Sequence, residues 1–309
     1  MLALKKLVLL SAPVVALAVL TAPTASAETL IYVTASTIGT VDSSAPATDN
    51  TAGGNGPLSY ALPAGFTTIG AKVSIDSQGL FLLGSNGGTC QLYAVNPSGS
   101  GGVAGITAVD ASYNCSGKDF AFLNGTGLGE QDAYLIADGA NVLGVPAGGG
   151  TLQSYVFSNQ ANIQGVVDVN SSPNDTQYGV DASTQELVQL NFDTTTFTGT
   201  ETDVSALSVN STPVVFSGST SLDFSILSDT FYVYTGGALY AVAGVFSGTP
   251  TVAGLGAAPG GTLAMTVAAN GNVSVSNNVK AGGGAFTPAA LLPLLGMAWL
   301  RRKRVRVQA

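Results

Sequence analysis

The sequence predicts an all-β protein built from repeated hairpins, and three observations predict it. Short apolar alternations broken by turn residues run through the chain, as in "LFLLGSNGG", "AYLIADGAN", "YVYTGGALYAV" and "LAMTVAANGNVSV". Such alternation, bounded by Gly, Ser and Asn, is the pattern of short strands and tight turns. Before residue 279 and outside the first 27 residues, no stretch sustains apolar residues at helical spacing, so strands and turns supply the whole vocabulary of the body. The third observation is a repeat: five hairpin-like segments begin at Glu28, Gln78, Asp132, Asp175 and Asp229, which lie 50, 54, 43 and 54 residues apart.

The repeat carries most of the argument. "DTFYVYTGGALYAV" from Asp229 aligns without gaps to "DAYLIADGANVLGV" from Asp132 and "ETLIYVTASTIGTV" from Glu28; "DTQYGVDASTQELVQL" and "QGLFLLGSNGGTCQLYAV" join them with small insertions at the turn. Each later copy follows another short strand, "KVSID", "DFAFL", "VVDV" or "LDFSI". The spacing fits a blade of four short strands. A fifth such strand, "LAMTV", has no full hairpin after it, while the Glu28 hairpin has no strand before it. That arrangement resembles the closure of a β-propeller, in which the first and last segments share a blade. The resemblance implies about five blades, or six if "NVSVS" and the Glu28 hairpin belong to separate blades; a β-sandwich array or an irregular solenoid is the competing architecture. No WD dipeptide or kelch motif is present.

Both ends read as targeting segments. Residues 1–27 carry Lys5 and Lys6, the apolar run "LVLLSAPVVALAVL" and Ala25-Ser26-Ala27, the order of parts in a secretory signal peptide. Cleavage between Ala27 and Glu28 by signal peptidase, after export through the Sec machinery, is expected. Pro13 and Pro23 oppose the alternative of an N-terminal core helix. Near the other end, residues 285–300 are apolar, and as a helix they would span about 24 Å, short of a hydrocarbon core of about 30 Å. Arg301, Arg302, Lys303, Arg304 and Arg306 follow directly and would stay on the cytoplasmic side under the positive-inside rule. The order "AGGGAF", apolar helix, "RRKR" resembles the tripartite C-terminal sorting signals of Gram-negative bacteria, closest to the GlyGly-CTERM type and more distantly similar to PEP-CTERM. That resemblance implies processing by a rhombosortase-type intramembrane protease near Gly282, Gly283 and Gly284. The sequence departs from the pattern in its short glycine run and in Pro288 and Pro293 within the helix, and a plain tail anchor is the alternative. The organisation expected is a signal peptide (1–27), a propeller-like domain (28–278), a Gly-rich linker (279–284), a membrane helix (285–300) and a basic tail (301–309), at a bacterial envelope or cell surface. Residues 43–56, "SSAPATDNTAGGNG", read as an exposed loop.

Charge and cysteines narrow the partners. Between the two end segments only Lys72, Lys118 and Lys280 stand against all 18 acidic residues, a net charge of −15. Binding a polyanion needs clustered Lys and Arg, so nucleic acid is excluded as a partner. Cys90 and Cys115 are the two cysteines; in an exported chain they are expected to form a disulfide worth roughly 3 kcal/mol. A reactive thiol pair would need a C-x-x-C spacing or basic neighbours.

The search for chemistry returns mostly absences. The sequence holds no histidine, which excludes a Ser-His-Asp triad, a Cys-His pair, a histidine-ligated zinc and a histidine proton shuttle. No phosphate-binding G-x-x-x-x-G-K-[ST] appears. Carboxylates remain, and paired carboxylates hydrolyse glycosidic bonds; some five-bladed propellers work this way. Asp119, Asp168 and Asp223 occupy similar places in "KDFAF", "VVDV" and "LDFS", the strands expected to line a central channel. Three carboxylates there would repel one another unless a cation sat among them, and hard oxygen ligands would favour calcium or magnesium. Asp76, nearer a turn, is a fourth candidate. The alternative is that these aspartates bond to backbone amides at blade edges. Tyr134, Tyr178, Phe231 and Tyr232 recur in the first strand of the repeat, where period-2 spacing makes them core rather than a sugar platform. "NSSPNDTQYGVD", with Asn174, Asp175 and Asp181, lacks the order of a calcium loop and reads as a turn.

Two functions from different classes follow. One is a non-catalytic binding or structural module displayed at the envelope, its ligand unspecified. The other is a carboxylate-dependent glycan hydrolase. Two carboxylates about 5–10 Å apart in an aromatic-lined cleft would favour the second; a channel plugged by aliphatic side chains would favour the first.

Overall fold

The computed structural model describes residues 28–48, 60–73, 79–96, 102–109, 115–123, 134–145, 152–158, 160–169 and 176–268. In chain order the strands are β1 (Thr29–Thr34), β2 (Thr37–Asp42) and β3 (Tyr60–Ala61), then β4 (Phe66–Val73), β5 (Leu80–Asn86), β6 (Thr89–Asn96) and β7 (Gly105–Ala108). They continue as β8 (Asp119–Phe122), β9 (Tyr134–Asp138), β10 (Asn141–Val145) and β11 (Gln153–Phe157), then β12 (Ile163–Val169), β13 (Thr176–Asp181), β14 (Glu186–Asp193) and β15 (Thr198–Ala206). A two-stranded ribbon of β16 (Ser208–Val209) and β17 (Thr212–Pro213) precedes β18 (Thr220–Ser225), β19 (Thr230–Thr235), β20 (Ala238–Ala243) and β21 (Thr251–Ala257), and β22 (Thr262–Val267) comes last.

These strands form five four-stranded blades, each an antiparallel meander. Blades two to five are β4–β7, β8–β11, β12–β15 and β18–β21. Blade one is assembled from both ends of the fold, in the order β22-β1-β2-β3, with Leu30 opposite Val267 and Tyr32 opposite Met265. The expected closure is therefore present, and all five hairpins read from the sequence are the second and third strands of their blades. The innermost strands, β22, β4, β8, β12 and β18, pack against one another in that order around a complete ring. One feature goes beyond the repeat: β11 pairs in parallel with β15, Val156 opposite Thr198 and Phe157 opposite Gly199, which fuses blades three and four along their outer edges. Gly199 admits this contact, because a Cβ there would collide with the Phe157 ring.

The period of 2 in the strands explains why so many are apolar on both faces. A central blade strand meets a different neighbouring blade with each face. In β1, Ile31 and Val33 pack with Phe66, Leu82 and Tyr93 of blade two, while Leu30 and Tyr32 pack with Tyr234 and Leu239 of blade five. In β19, Phe231 and Val233 face blade four, and Tyr232 and Tyr234 face blade one. Each of the five seams between blades carries one apolar cluster. Burial in these seams, rather than in one central core, supplies the cohesion of the ring. Tyr134, Tyr178, Phe231 and Tyr232 all lie buried in the seams, as core side chains.

Turn chemistry sets the hairpin registers. Gly87–Gly88 and Gly236–Gly237 have φ of 64°, 88°, 59° and 81°, the left-handed backbone that two-residue hairpin turns require. The Cys90–Cys115 disulfide is present, with a Cα–Cα distance of 5.3 Å. It ties β6 of blade two to the segment that enters blade three. The signal-peptide residues through Ala27, Asp76, Asn174, Asp175, Gly282–Gly284, the helix expected over 285–300 and the basic residues from Arg301 lie outside the described residues. Among those described, no helix is long and apolar enough to cross a membrane.

Candidate functional site

The innermost strands bring polar side chains to the axis of the ring, and the geometry there centres on a residue pair. Asp119 opens β8 and is fully buried. Its Oδ2 accepts hydrogen bonds from the backbone amides of Leu222 in β18 (3.0 Å) and Val166 in β12 (3.2 Å). Lys72 Nζ, from β4, lies 3.3 Å from the same oxygen and also donates to the Leu222 carbonyl. One carboxylate and one ammonium thus join blades two, three, four and five across the axis. Burial pushes the Asp119 carboxyl up to about 6, against the opposing effects of Lys72 and of the Leu222, Val166 and Phe120 amides. Its Oδ1 is buried without a hydrogen-bond partner. A Cβ on Gly70 would lie 3.3 Å from that oxygen and 3.1 Å from the Phe120 ring, so a glycine lets blade two approach this closely.

Asp223 works at a seam instead. Its Oδ2 accepts from the Val267 amide (2.8 Å) and the Thr266 hydroxyl, both in β22, and its Oδ1 accepts from the Phe224 amide. It therefore pins blade five to the strand that closes the ring. Asp168 turns to its own blade, where its Oδ1 accepts from Gln177 Nε2 at 2.8 Å, its cross-strand partner in β13. The three aspartates expected to share a cation thus point to three different sets of partners. Among the described residues no three acidic, histidine or cysteine side chains come close enough to hold a metal ion. The reason is register: Asp119 reaches the level of Val166 and Leu222, whereas Asp168 lies two residues beyond the first and Asp223 one beyond the second. A one-residue offset reverses the face of a strand. The cation beside Asp119 is the Lys72 ammonium, and Asp119 and Asp223 bond to backbone amides of other blades.

Lys72 is the residue that the search for sites passed over. Its signal was present, since it is one of three basic residues between Glu28 and Gly284 and it interrupts the apolar run "IGAKV". A lone cation in an otherwise apolar inner strand needs a buried acceptor. Beside the axis, between blades five and one, a cavity of about 10 Å³ is lined by Ser221, Asp223, Tyr232, Tyr234 and Thr266 among others. That is room for about one water.

A second acidic group lies on blade four. Glu186 in β14 neighbours Asp203 in β15, and its carboxyl is raised by burial and by Asp203. Glu201, also in β15, is pushed up to about 7 by burial and then by Asp181, Asp203 and Glu186. Asp181 itself caps the β13–β14 turn, accepting from the Ser183 amide (2.8 Å) and the Asn162 amide (2.9 Å). Of the segment "NSSPNDTQYGVD" read as a turn, residues 176–181 are instead strand β13, paired on both sides, with Asp181 at its end capping the turn that follows; residues 170–175 lie outside the described residues.

No protein-family model matches this chain, and no curated protein is similar to it at a significant level. Solved structures superpose on parts of this chain at low identity. An auxiliary nutrient binding protein from Bacteroides thetaiotaomicron is 10% identical with a TM-score of 0.38, over 74% of this chain and 49% of that one. A periplasmic gluconolactonase from Pseudomonas aeruginosa is 13% identical with a TM-score of 0.34, over 65% of this chain and 56% of its own. A protein of unknown function from Bacteroides caccae is 10% identical with a TM-score of 0.36, over 78% and 99%. This chain spans about half the length of the first two. The strand pairing and the five apolar seams establish the architecture directly: the described residues form a five-bladed β-propeller closed by the first and last of their strands.

Proposed function

We propose that this chain is an exported propeller, held at a bacterial envelope, that serves as a non-catalytic binding or structural module. One observation carries the reading: Lys72, Asp119 and Asp223 on the inner strands are engaged in joining blades. Lys72 and Asp119 join four blades, and Asp223 joins the fifth to the first. The axis is crossed by an ion pair rather than plugged by aliphatic side chains, and the Asp119 carboxylate in it is tied to Lys72 and to two backbone amides. The disulfide supports an oxidising, extracytoplasmic compartment. Signal-peptide removal at Ala27–Glu28 and anchoring by residues 285–300 complete the proposal; intact-mass measurement on the native envelope tests them, a mass that keeps residues 301–309 supporting the anchor and one that ends near Gly282–Gly284 replacing it by sorting and cleavage.

The hydrolase reading keeps one supporting observation. Glu201, raised to about 7, has the protonation of a general acid at neutral pH. Incubating the purified protein with a panel of polysaccharides separates the readings. Retention on a polysaccharide without new reducing ends is the expected result. Release of reducing sugar that Glu201→Gln abolishes would replace the module by the enzyme.

A further inference from the structure

The two ends of the described fold meet on one rim of the propeller. Glu28 donates its amide to Ser43 Oγ at 2.9 Å, and its carboxylate accepts from Ser225 Oγ at 2.7 Å. The Ala268 amide donates to the Thr29 carbonyl at 3.0 Å. Ser225 ends β18, so the β18–β19 turn lies on this same rim. That turn exposes Ile226 (52%) and Leu227 (70%). Beside it, the loop after β20 exposes Phe246 (42%). The Phe246 ring rests on Phe224, Phe231 and Tyr178 at 5.7, 5.9 and 6.0 Å. Three exposed apolar side chains therefore lie on this rim, one of them packed on an aromatic cluster, where the described chain begins and ends.

We infer that this rim rests on a lipid surface, with Ile226, Leu227 and Phe246 entering its interfacial layer. The inference rests on the anchoring proposed above and deepens it. From Ala268 to the apolar run at Ala285 is 17 residues, which reach about 60 Å at most. A membrane helix over 285–300 would tether this rim within that reach of the bilayer, and tethering raises the effective concentration for a small apolar contact. Leu, Ile and Phe are side chains that bury into the headgroup and acyl boundary. Asp229 is exposed on the same rim, and the domain is acidic, so the fitting surface is zwitterionic rather than anionic. The contact is apolar and insensitive to salt.

The test uses the full chain in phosphatidylcholine vesicles carrying brominated acyl chains, with tryptophan fluorescence as the readout. The sequence has one tryptophan, Trp299, inside the apolar run, and in the unaltered chain its quenching reports whether the anchor enters the bilayer. In a Trp299→Phe background, Leu227→Trp and, independently, Ile226→Trp report the rim. Both positions are exposed turn residues, so the fold tolerates them. Val215→Trp reports the opposite end, because Val215 is 68% exposed beside Ser217, whose carbonyl accepts from Gly236 in the β19–β20 turn. The expected result is at least twofold quenching at 226 and 227 and none at 215, unchanged in 0.5 M salt, where a Debye length of about 4 Å screens electrostatic attraction. Quenching of Trp299 with none at either rim position overturns the inference and leaves the anchor standing. Absence of quenching at Trp299 removes the anchor and the inference together. Disulfide-linked dimers of Leu227→Cys formed in preference to lipid contact would assign the rim to a second copy and also overturn it.

Discussion

Replacing Lys72 by Met should cost the protein about 3–5 kcal/mol at pH 8, and the size and pH dependence of that loss follow from the axis geometry. Lys72 and Asp119 are both buried, and removing one partner leaves an uncompensated charge at the centre of the ring, which costs about 3–5 kcal/mol. The Asp119 carboxyl lies at about 6 in the folded protein, against an ordinary value of 3.8. Because the folded value is the higher one, the folded state binds the proton more tightly between these values. Acidification from pH 7 to pH 4 therefore adds stability, and alkalinisation through the same window removes it. At about 1.4 kcal/mol per pH unit, the group accounts for about 3 kcal/mol of change, with a flat profile above it. Glu201, at about 7, acts in the same direction from a higher pH. In Lys72→Met the Asp119 value rises further, since Lys72 is what lowers it. The variant then regains more on acidification than the parent does. Guanidinium unfolding followed by circular dichroism at pH 8 and pH 5 reads this directly: the deficit of Lys72→Met should shrink by at least half at pH 5. A deficit below about 1 kcal/mol at pH 8, or an equal one at both pH values, would refute the role assigned to the pair.

Three further outcomes are expected. Reducing Cys90–Cys115, which spans 25 residues, should lower stability by about 3 kcal/mol, measured by unfolding with and without a reductant. Gly165→Val should cost about 1–3 kcal/mol, because a Cβ there would stand 2.8 Å from the Leu222 Cβ, while Gly260→Ala, with open space around it, should change stability by less than about 0.5 kcal/mol. Asp223→Ala removes the acceptor of the Val267 amide and should speed amide exchange at Val267 and along the β1–β22 pairing relative to β12–β13; equal protection in both would show that the closure does not depend on Asp223.

The fold was legible because a propeller writes its architecture locally. Each blade's middle hairpin is continuous in sequence and ends in a turn with its own chemistry, so the segments at Glu28, Gln78, Asp132, Asp175 and Asp229 could be superimposed before any contact was known. The unpaired strand "LAMTV" then required the unpaired hairpin at Glu28, and β22 pairs with β1 as that logic demands. The parallel seam of β11 with β15 was not legible. It joins outer edges of different blades, and its signal is a single Gly199 under Phe157, which no repeat period marks.

The axis was legible in kind but not in pairing, and register is the physical cause. Spacing placed Asp119, Asp168 and Asp223 on inner strands, yet the blades shift against one another by one or two residues, and each shift redirects a side chain by a full face or a full rise. Sequence alone resolves neither. What it does fix is the electrostatic requirement, because an inner strand buried on both faces cannot hold a carboxylate without a donor or a counter-charge. Between Glu28 and Gly284 the chain has three lysines to provide one. Lys118 precedes Asp119 directly in sequence and donates its backbone amide to Ala137 across the blade, while Lys72 comes from the neighbouring blade and reaches the carboxylate. Counting the cations available to a buried acid, and asking which of them stands on an inner strand, selects Lys72 from three candidates.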